Sequence, residues 1–136
     1  MALTGGRGNG KTQLAVEAMR MVTRAGGPVL FSTAISFFAE VKSTFSRESE
    51  FTEKQVADKY RRPRLLVVDE VGKRGGSDWE NNLLFDVLNS RYNDIKDTIL
   101  IDNRSPKEFE EWIGPSVASR MSEGGGIIEC NWGSFR

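Results

Sequence analysis

The sequence contains no histidine and a single cysteine, Cys130, and each lack removes chemistry. Without histidine there can be no histidine-based nucleophilic triad and no imidazole metal site. One cysteine cannot form a disulfide within the chain, which suits a reducing compartment, so a cytoplasmic location is expected. Excess charge is lacking too. The 19 Lys and Arg balance 19 Asp and Glu, so no global field draws the chain to nucleic acid or membrane, and any such binding has to be local. No apolar run approaches the roughly 20 residues that span a bilayer, and the N-terminus does not read as a signal peptide. Repeats, linkers and low-complexity segments are missing as well. At 136 residues with 38% apolar content, the chain is sized for one domain, 1–136, with a genuine core.

What the chain does have is a glycine-rich stretch, "GGRGNGKT", Gly5 to Thr12. It fits G-x-x-x-x-G-K-[ST] with Gly5, Gly10, Lys11 and Thr12 in the required places. The further glycines Gly6 and Gly8 allow positive φ, which turns successive N–H groups inward toward phosphate oxygens. Lys11 is expected to reach the β- and γ-phosphates, and the Thr12 hydroxyl to ligate Mg²⁺. Arg7, Asn9 and Gln13 complete the candidate nucleotide contacts, with ATP and Mg²⁺ as the expected ligands. The residues that follow, "TQLAVEAMRMVTRAGG", carry apolar side chains at helical spacing, so the loop should open a helix whose N-terminal dipole faces the anion. Only "MALT" precedes the loop, whereas such a loop is normally fed by a buried strand of about five residues. The start of the first strand is therefore expected to be clipped, with an upstream segment missing.

Downstream, apolar strands alternate with helical patterns. "PVLFST", "RLLVVDE", "TILIDN" and "GIIECNW" read as strands, and "RLLVVDE" is a continuous β-branched run of the kind buried on both faces. "AISFFAEVKSTF", "FTEKQVADKYR", "WENNLLFDVLNSRYNDI", "SPKEFEEWI" and "PSVASRM" read as helices, the third with Leu83, Leu84, Val87, Leu88, Tyr92 and Ile95 on one stripe. The alternation predicts an α/β fold with a mostly parallel five-stranded sheet between layers of helix, and ligands at the carboxyl ends of the strands.

Three further groups complete a candidate site. Asp69 ends a central strand and is placed to hold the Mg²⁺ water shell beside Thr12. Glu70 follows, and in a chain without histidine it is the strongest candidate for the general base that deprotonates an attacking water. Asn103 ends the next strand, where an uncharged amide can hold that water or the γ-phosphate, although Asn is also a common turn residue before Ser-Pro. Arg120, near the end of a short helix, could complete a neighbour's site as an arginine finger, or could simply answer the dipole of its own helix. The acid pair points to hydrolysis of ATP.

In this order and spacing, the phosphate loop, "LLVVDEVG", "LIDN", "SRM" and the closing "NWGSFR" resemble the AAA+ core of bacterial replicative helicase loaders of the DnaC/DnaI type. The resemblance covers nearly the whole chain. It implies an AAA+ P-loop ATPase that assembles head to tail, binds single-stranded DNA in an ATP-dependent way and helps to place a ring helicase. Gly10, Lys11 and Thr12 would be Walker A, Asp69 and Glu70 Walker B, Asn103 sensor 1, and Arg120 the finger acting in trans. The same resemblance places DNA at Phe45, Ser77 and Trp79, where a base can stack on the rings while Ser77 bonds a phosphate and Lys73 and Arg74 neutralise charge. A purely structural reading competes there, with Ser77 and Glu80 as a capping box and Trp79 joining the core four residues before Leu83.

The chain departs from the family pattern in three ways. An amino-terminal helicase-binding domain is expected to be missing, no helical lid is expected after "SFR", and Asp102 puts an acid next to the sensor position. An IstB-type transposition helper ATPase shares this core and is the alternative. A small nucleotide kinase would need an arginine-rich lid and an acceptor pocket, neither of which is evident. A nucleotide-binding module without significant turnover completes the set.

Overall fold

A computed structural model describes residues 1–134; Phe135 and Arg136, the end of the closing pattern, lie outside the described residues. Five strands form one sheet: β1 (Ala2–Thr4), β2 (Val29–Thr33), β3 (Leu65–Asp69), β4 (Asp97–Ile101) and β5 (Ile127–Glu129). Their order across the sheet is β2-β3-β4-β1-β5, and every pairing is parallel. The helices are α1 (Lys11–Arg24), α2 (Ala34–Ser43), α3 (Glu53–Arg61), α4 (Asp78–Asn93), α5 (Pro106–Ile113) and α6 (Pro115–Glu123). The expected α/β architecture is present, and the sheet is wholly parallel. No helix among the described residues is long and apolar enough to cross a membrane.

The strands are apolar on both faces because both are covered. Successive side chains of a strand point to opposite sides. Leu66, Val68 and Leu100 accordingly pack with Phe37, Val41, Leu84, Val87 and Phe109 from α2, α4 and α5. Leu65, Val67, Ile99 and Ile101 pack with Ala15 of α1 and with Cys130. Four helices start on a hydroxyl cap: Thr33, Thr52, Ser77 and Ser105 each accept from the backbone N–H three residues on, which satisfies one of the orphan donors of the first turn.

The stripe on α4 differs from expectation at its end. Leu83, Leu84, Val87 and Leu88 are buried, but Tyr92 is largely exposed, and Ile95 is 90% exposed, past the helix at φ 54°. The inward position one turn beyond Val87 belongs to Arg91, which is fully buried. Its Nε donates to Thr98 Oγ1 at 2.9 Å, and its two terminal nitrogens donate to the carbonyls of Tyr60, Arg61, Pro63, Arg64 and Asp97. A guanidinium has five N–H donors in a fixed fork, so a single side chain can close the C-terminal turn of α3 and the start of β3 together. Burial pushes Arg91 down to about 10, so it keeps its charge at neutral pH.

Candidate nucleotide site

Because β1 lies between β4 and β5, the loop leaving Thr4 emerges at the carboxyl edge of the sheet, with only β4 between it and the end of β3. Backbone bonds hold its start on both sides. Gly5 N donates to Arg104 O at 2.9 Å, and Cys130 N donates to Thr4 O at 2.8 Å. The approach leaves no space for a side chain, since a Cβ on Gly5 would lie 2.6 Å from the Cys130 carbonyl. At the other end Gly10, at φ 75°, turns the chain into α1 in a left-handed conformation that glycine adopts without cost. Among the described residues no N-cap side-chain bond closes α1, so its first-turn N–H groups can face an anion.

A cavity of about 460 Å³ opens at this edge. Arg7, Gly8, Asn9, Gly10, Lys11, Thr12 and Gln13 line it from the loop and α1, Asp69, Glu70 and Lys73 from the end of β3, and Ile101 and Asn103 from the end of β4. Lys11, Thr12, Asp69, Glu70 and Asn103, dispersed over 92 positions of sequence (103 − 11), are thus brought to one place. Thr12 Oγ1 donates to Asp69 Oδ2 at 2.7 Å, and Glu70 N donates to Asp69 Oδ1 at 2.6 Å. The buried Lys11 ammonium donates to the Gly5 and Gly6 carbonyls at 2.7 and 2.5 Å. Burial pushes Lys11 below its usual value, opposed by Cys130, Asp69 and Asp102.

The donor set fits a magnesium ion better than an all-protein metal cage. Thr12 and Asp69 present two hard oxygens beside an open cavity, and no cluster of three His, Cys, Asp or Glu side chains able to hold a metal occurs among the described residues. Mg²⁺ keeps several waters and takes one or two protein oxygens plus substrate phosphates, which is what such a pair can offer.

Two residues, Gln13 of α1 and Asn9 of the loop, line the cavity but commit their side chains elsewhere. Gln13 Nε2 donates along α1 to Glu17 Oε1 at 3.2 Å, and the Asn9 amide turns to the far side of the loop, toward Cys130 and Trp132. Asp102 is buried, bonded to Arg104 at 2.9 Å, and is not among the residues lining the nucleotide cavity. Glu70 adopts a left-handed conformation, φ 54°, and pairs with Lys73 across the 3₁₀ turn Val71–Lys73.

Arg120 is not brought into this cavity. Its guanidinium lies 5.2 and 5.5 Å over the rings of Phe85 and Tyr92 on α4. Phe45 and Trp79, distant in sequence, do come together, with Ser77 two residues before Trp79. Phe45 is 58% exposed, its ring centroid 5.4 Å from that of Trp79, with Lys42 Nζ 5.4 Å over the same indole. Trp79 is half-buried against Phe38 and the core, and Ser77 forms a capping box with the buried Glu80, which also pairs with Lys42.

Sequence reading did not single out Arg104, Trp112 or Trp132 beside the site. Trp112 is approached by both Arg74 and Arg104, at 4.2 and 4.5 Å to its centroid, which ties the loop after β3 to the loop after β4. Trp132 stood in the closing pattern without a role, and nothing local marks its contact with a residue 123 positions earlier.

Over 134 residues the chain is 28% identical to the replicative helicase loader DnaC of Escherichia coli K12, covering 98% of this chain and 54% of that protein. It is 26% identical to the DnaC of Buchnera aphidicola subsp. Baizongia pistaciae over the same share. The chain thus spans about half the length of the curated relatives it matches. Among solved structures, a crystal structure of the DnaC helicase loader shares the fold at a TM-score of 0.80 with 22% identity, covering 95% of this chain and 76% of that one. The replication initiator DnaA bound to AMPPCP and single-stranded DNA also superposes at 0.80, with 26% identity, covering 95% and 39%. The resemblance to helicase loaders and the AAA+ architecture are borne out by these likenesses. The family described as IstB-like ATP binding protein matches residues 1–121, and with that match over most of its length the chain belongs to this family of ATP-binding proteins.

Proposed function

We propose that the chain is the ATPase module of a helicase-loader-like replication protein, which hydrolyses ATP at the cavity beside β1, β3 and β4 and couples that turnover to single-stranded DNA and to a neighbouring copy. The observation that carries the reading is the convergence of Lys11, Thr12, Asp69, Glu70 and Asn103 on one cavity. The DnaC relatives and a DnaA relative solved with both AMPPCP and single-stranded DNA support the replication and DNA parts. The partners beyond DNA are a ring helicase, gripped through an amino-terminal domain, and copies of the chain itself.

In this reading the loop N–H groups and Lys11 bind and orient the phosphates of ATP. Thr12 and Asp69 hold Mg²⁺, which when bound neutralises charge on the β- and γ-phosphates. Glu70 takes a proton from the attacking water as its oxygen bonds to the γ-phosphorus and the bond to the β-phosphate oxygen breaks, giving ADP and phosphate. Asn103 holds the water or a γ-phosphate oxygen. A positioned base contributes about 10²–10⁴ in rate, so Glu70→Gln should retain nucleotide and lose turnover by that order. Phe45 and Trp79 offer ring faces for bases, and Ser77, Lys42 and Lys73 offer partners for phosphates.

The test is ATP turnover measured over a range of protein concentrations, with and without single-stranded DNA. The specific rate should climb with concentration, rise again with DNA, and vanish in Lys11→Ala. Background turnover in all conditions, unchanged by Lys11→Ala, would overturn the ATPase reading. The IstB-like family match favours a second reading, a helper ATPase of transposition. Capture of a transposase rather than a ring helicase by the full-length protein would decide for it.

A further inference from the structure

Trp132 of the closing pattern has no part in the site as described, yet the structure ties it to the phosphate-binding loop. Asn9 Nδ2 donates to the carbonyls of Cys130 and Trp132, at 2.6 and 2.8 Å. In return Trp132 Nε1 donates to the Asn9 carbonyl at 2.8 Å. Asn9 is only 8% exposed, so its amide is committed to these partners rather than to solvent. The middle of the loop is therefore fastened, by side chain and by backbone, to the segment just past β5.

That fastening has a directional consequence. The Asn9 carbonyl and the Gly10 N–H belong to one trans peptide, and in a trans peptide the two point opposite ways. With the carbonyl committed to Trp132, the Gly10 N–H is held facing away from that indole, and Gly10 lines the nucleotide cavity. Trp132 itself does not line that cavity. A loop without this fastening would have to order the same peptide on binding, and ordering lost backbone freedom weakens affinity.

We propose that Trp132 is a positioning residue for the nucleotide: its indole N–H, together with the Asn9 amide, presets the Asn9–Gly10 peptide in the orientation that receives phosphate. The proposal rests on the nucleotide-binding reading of the cavity. It gives Trp132 of the closing pattern a task at the opposite end of the chain.

Trp132→Phe keeps an aromatic ring but removes the indole N–H along with part of the ring volume, while Asn9→Ala removes the other side of the fastening. ADP with Mg²⁺ is titrated into each variant by calorimetry, with ATP turnover and thermal melting measured in parallel. Each single variant should bind ADP about three- to tenfold more weakly, the loss expected for one or two hydrogen bonds. KM for ATP should rise by the same factor while kcat stays within about twofold, since Glu70 and Asn103 are untouched. The double variant should lose no more than the weaker binder of the two singles, because either change opens the same ring of bonds. A residue that merely stabilised the fold would lower the melting temperature and leave ADP affinity and KM alone. Wild-type ADP affinity in Trp132→Phe, with the parent chain binding normally, overturns this proposal alone. A parent chain that binds no ADP overturns the nucleotide-binding reading along with it.

Discussion

Glu70 is held in two ways that bear on its proposed work. Its backbone is left-handed, a conformation that costs a residue with a side chain on the order of 1–3 kcal/mol and that clusters at functional sites. Its carboxylate is paired with Lys73, and an oxygen turned to an ammonium is turned away from an attacking water. Both side chains are partly open to solvent, so the pair is worth no more than about 1 kcal/mol and can be exchanged for another partner. Lys73 sits on the same short loop as Ser77, where a DNA phosphate is proposed to bind. An arriving phosphate would compete for the ammonium and leave Glu70 free. Lys73→Ala should therefore raise DNA-independent turnover by up to about fivefold, the factor that corresponds to such a pair, and shrink the further stimulation by DNA. Turnover at or below the parent level in that variant would show that Lys73 does not restrain the base.

At the scale of elements, α4 carries the clearest energetic test and the clearest limit on sequence reading. Its buried Arg91 joins α3, β3 and β4 through backbone carbonyls. The Arg61 and Arg64 carbonyls keep second donors in Lys96 and Asp97, and Asp97 itself stands in the β3–β4 ladder, so the cost of losing Arg91 falls mainly on Tyr60 and Pro63. Arg91→Met fills similar volume without donors, and two stranded buried carbonyls should cost about 3 kcal/mol, read as a lower urea midpoint at an unchanged slope. A midpoint equal to the parent's would mean that water reaches those carbonyls and the fork is dispensable. The strands were legible because a sheet covered on both faces leaves continuous apolar runs such as "LLVV", and the phosphate loop because its glycines and lysine are adjacent in sequence. Arg91 was not legible, since a charge beside an apolar stripe reads as the solvent edge of a helix and its acceptors lie on segments far along the chain. For the same reason the reading extended the stripe to Tyr92 and Ile95, which face outward. Asn9 was legible as a loop residue, whereas the turn of its side chain toward Trp132 depended on β5 folding beside β1.

At the scale of the whole molecule, the nucleotide cavity and Arg120 belong to different faces. Arg120 lies against Phe85 and Tyr92, and with Tyr92 it lines a second cavity, of about 570 Å³, whose lining shares no residue with the first. On the proposed reading Arg120 would serve the site of another copy rather than its own, and a contact between two different faces of identical chains would be heterologous, repeating head to tail. The rings that carry Arg120 are themselves partly exposed, so the same surface offers aromatic area for a neighbour's loop to cover. This arrangement makes a sharp prediction about mixtures. Glu70→Gln has a normal Arg120 but no base, and Arg120→Ala has a normal base but no finger. Each alone should turn over ATP at background, since an arginine finger contributes about 10³–10⁵ in related hydrolases. Mixed in equal amounts at a concentration where the parent chain is active, the two should recover turnover, because some Arg120→Ala sites now receive the arginine of a Glu70→Gln neighbour. Recovery requires that base and finger act from separate chains. Were the mixture as inactive as its components while both still bind ATP, Arg120 would have to act within its own chain or not at all, and the head-to-tail arrangement would lose its chemical reason.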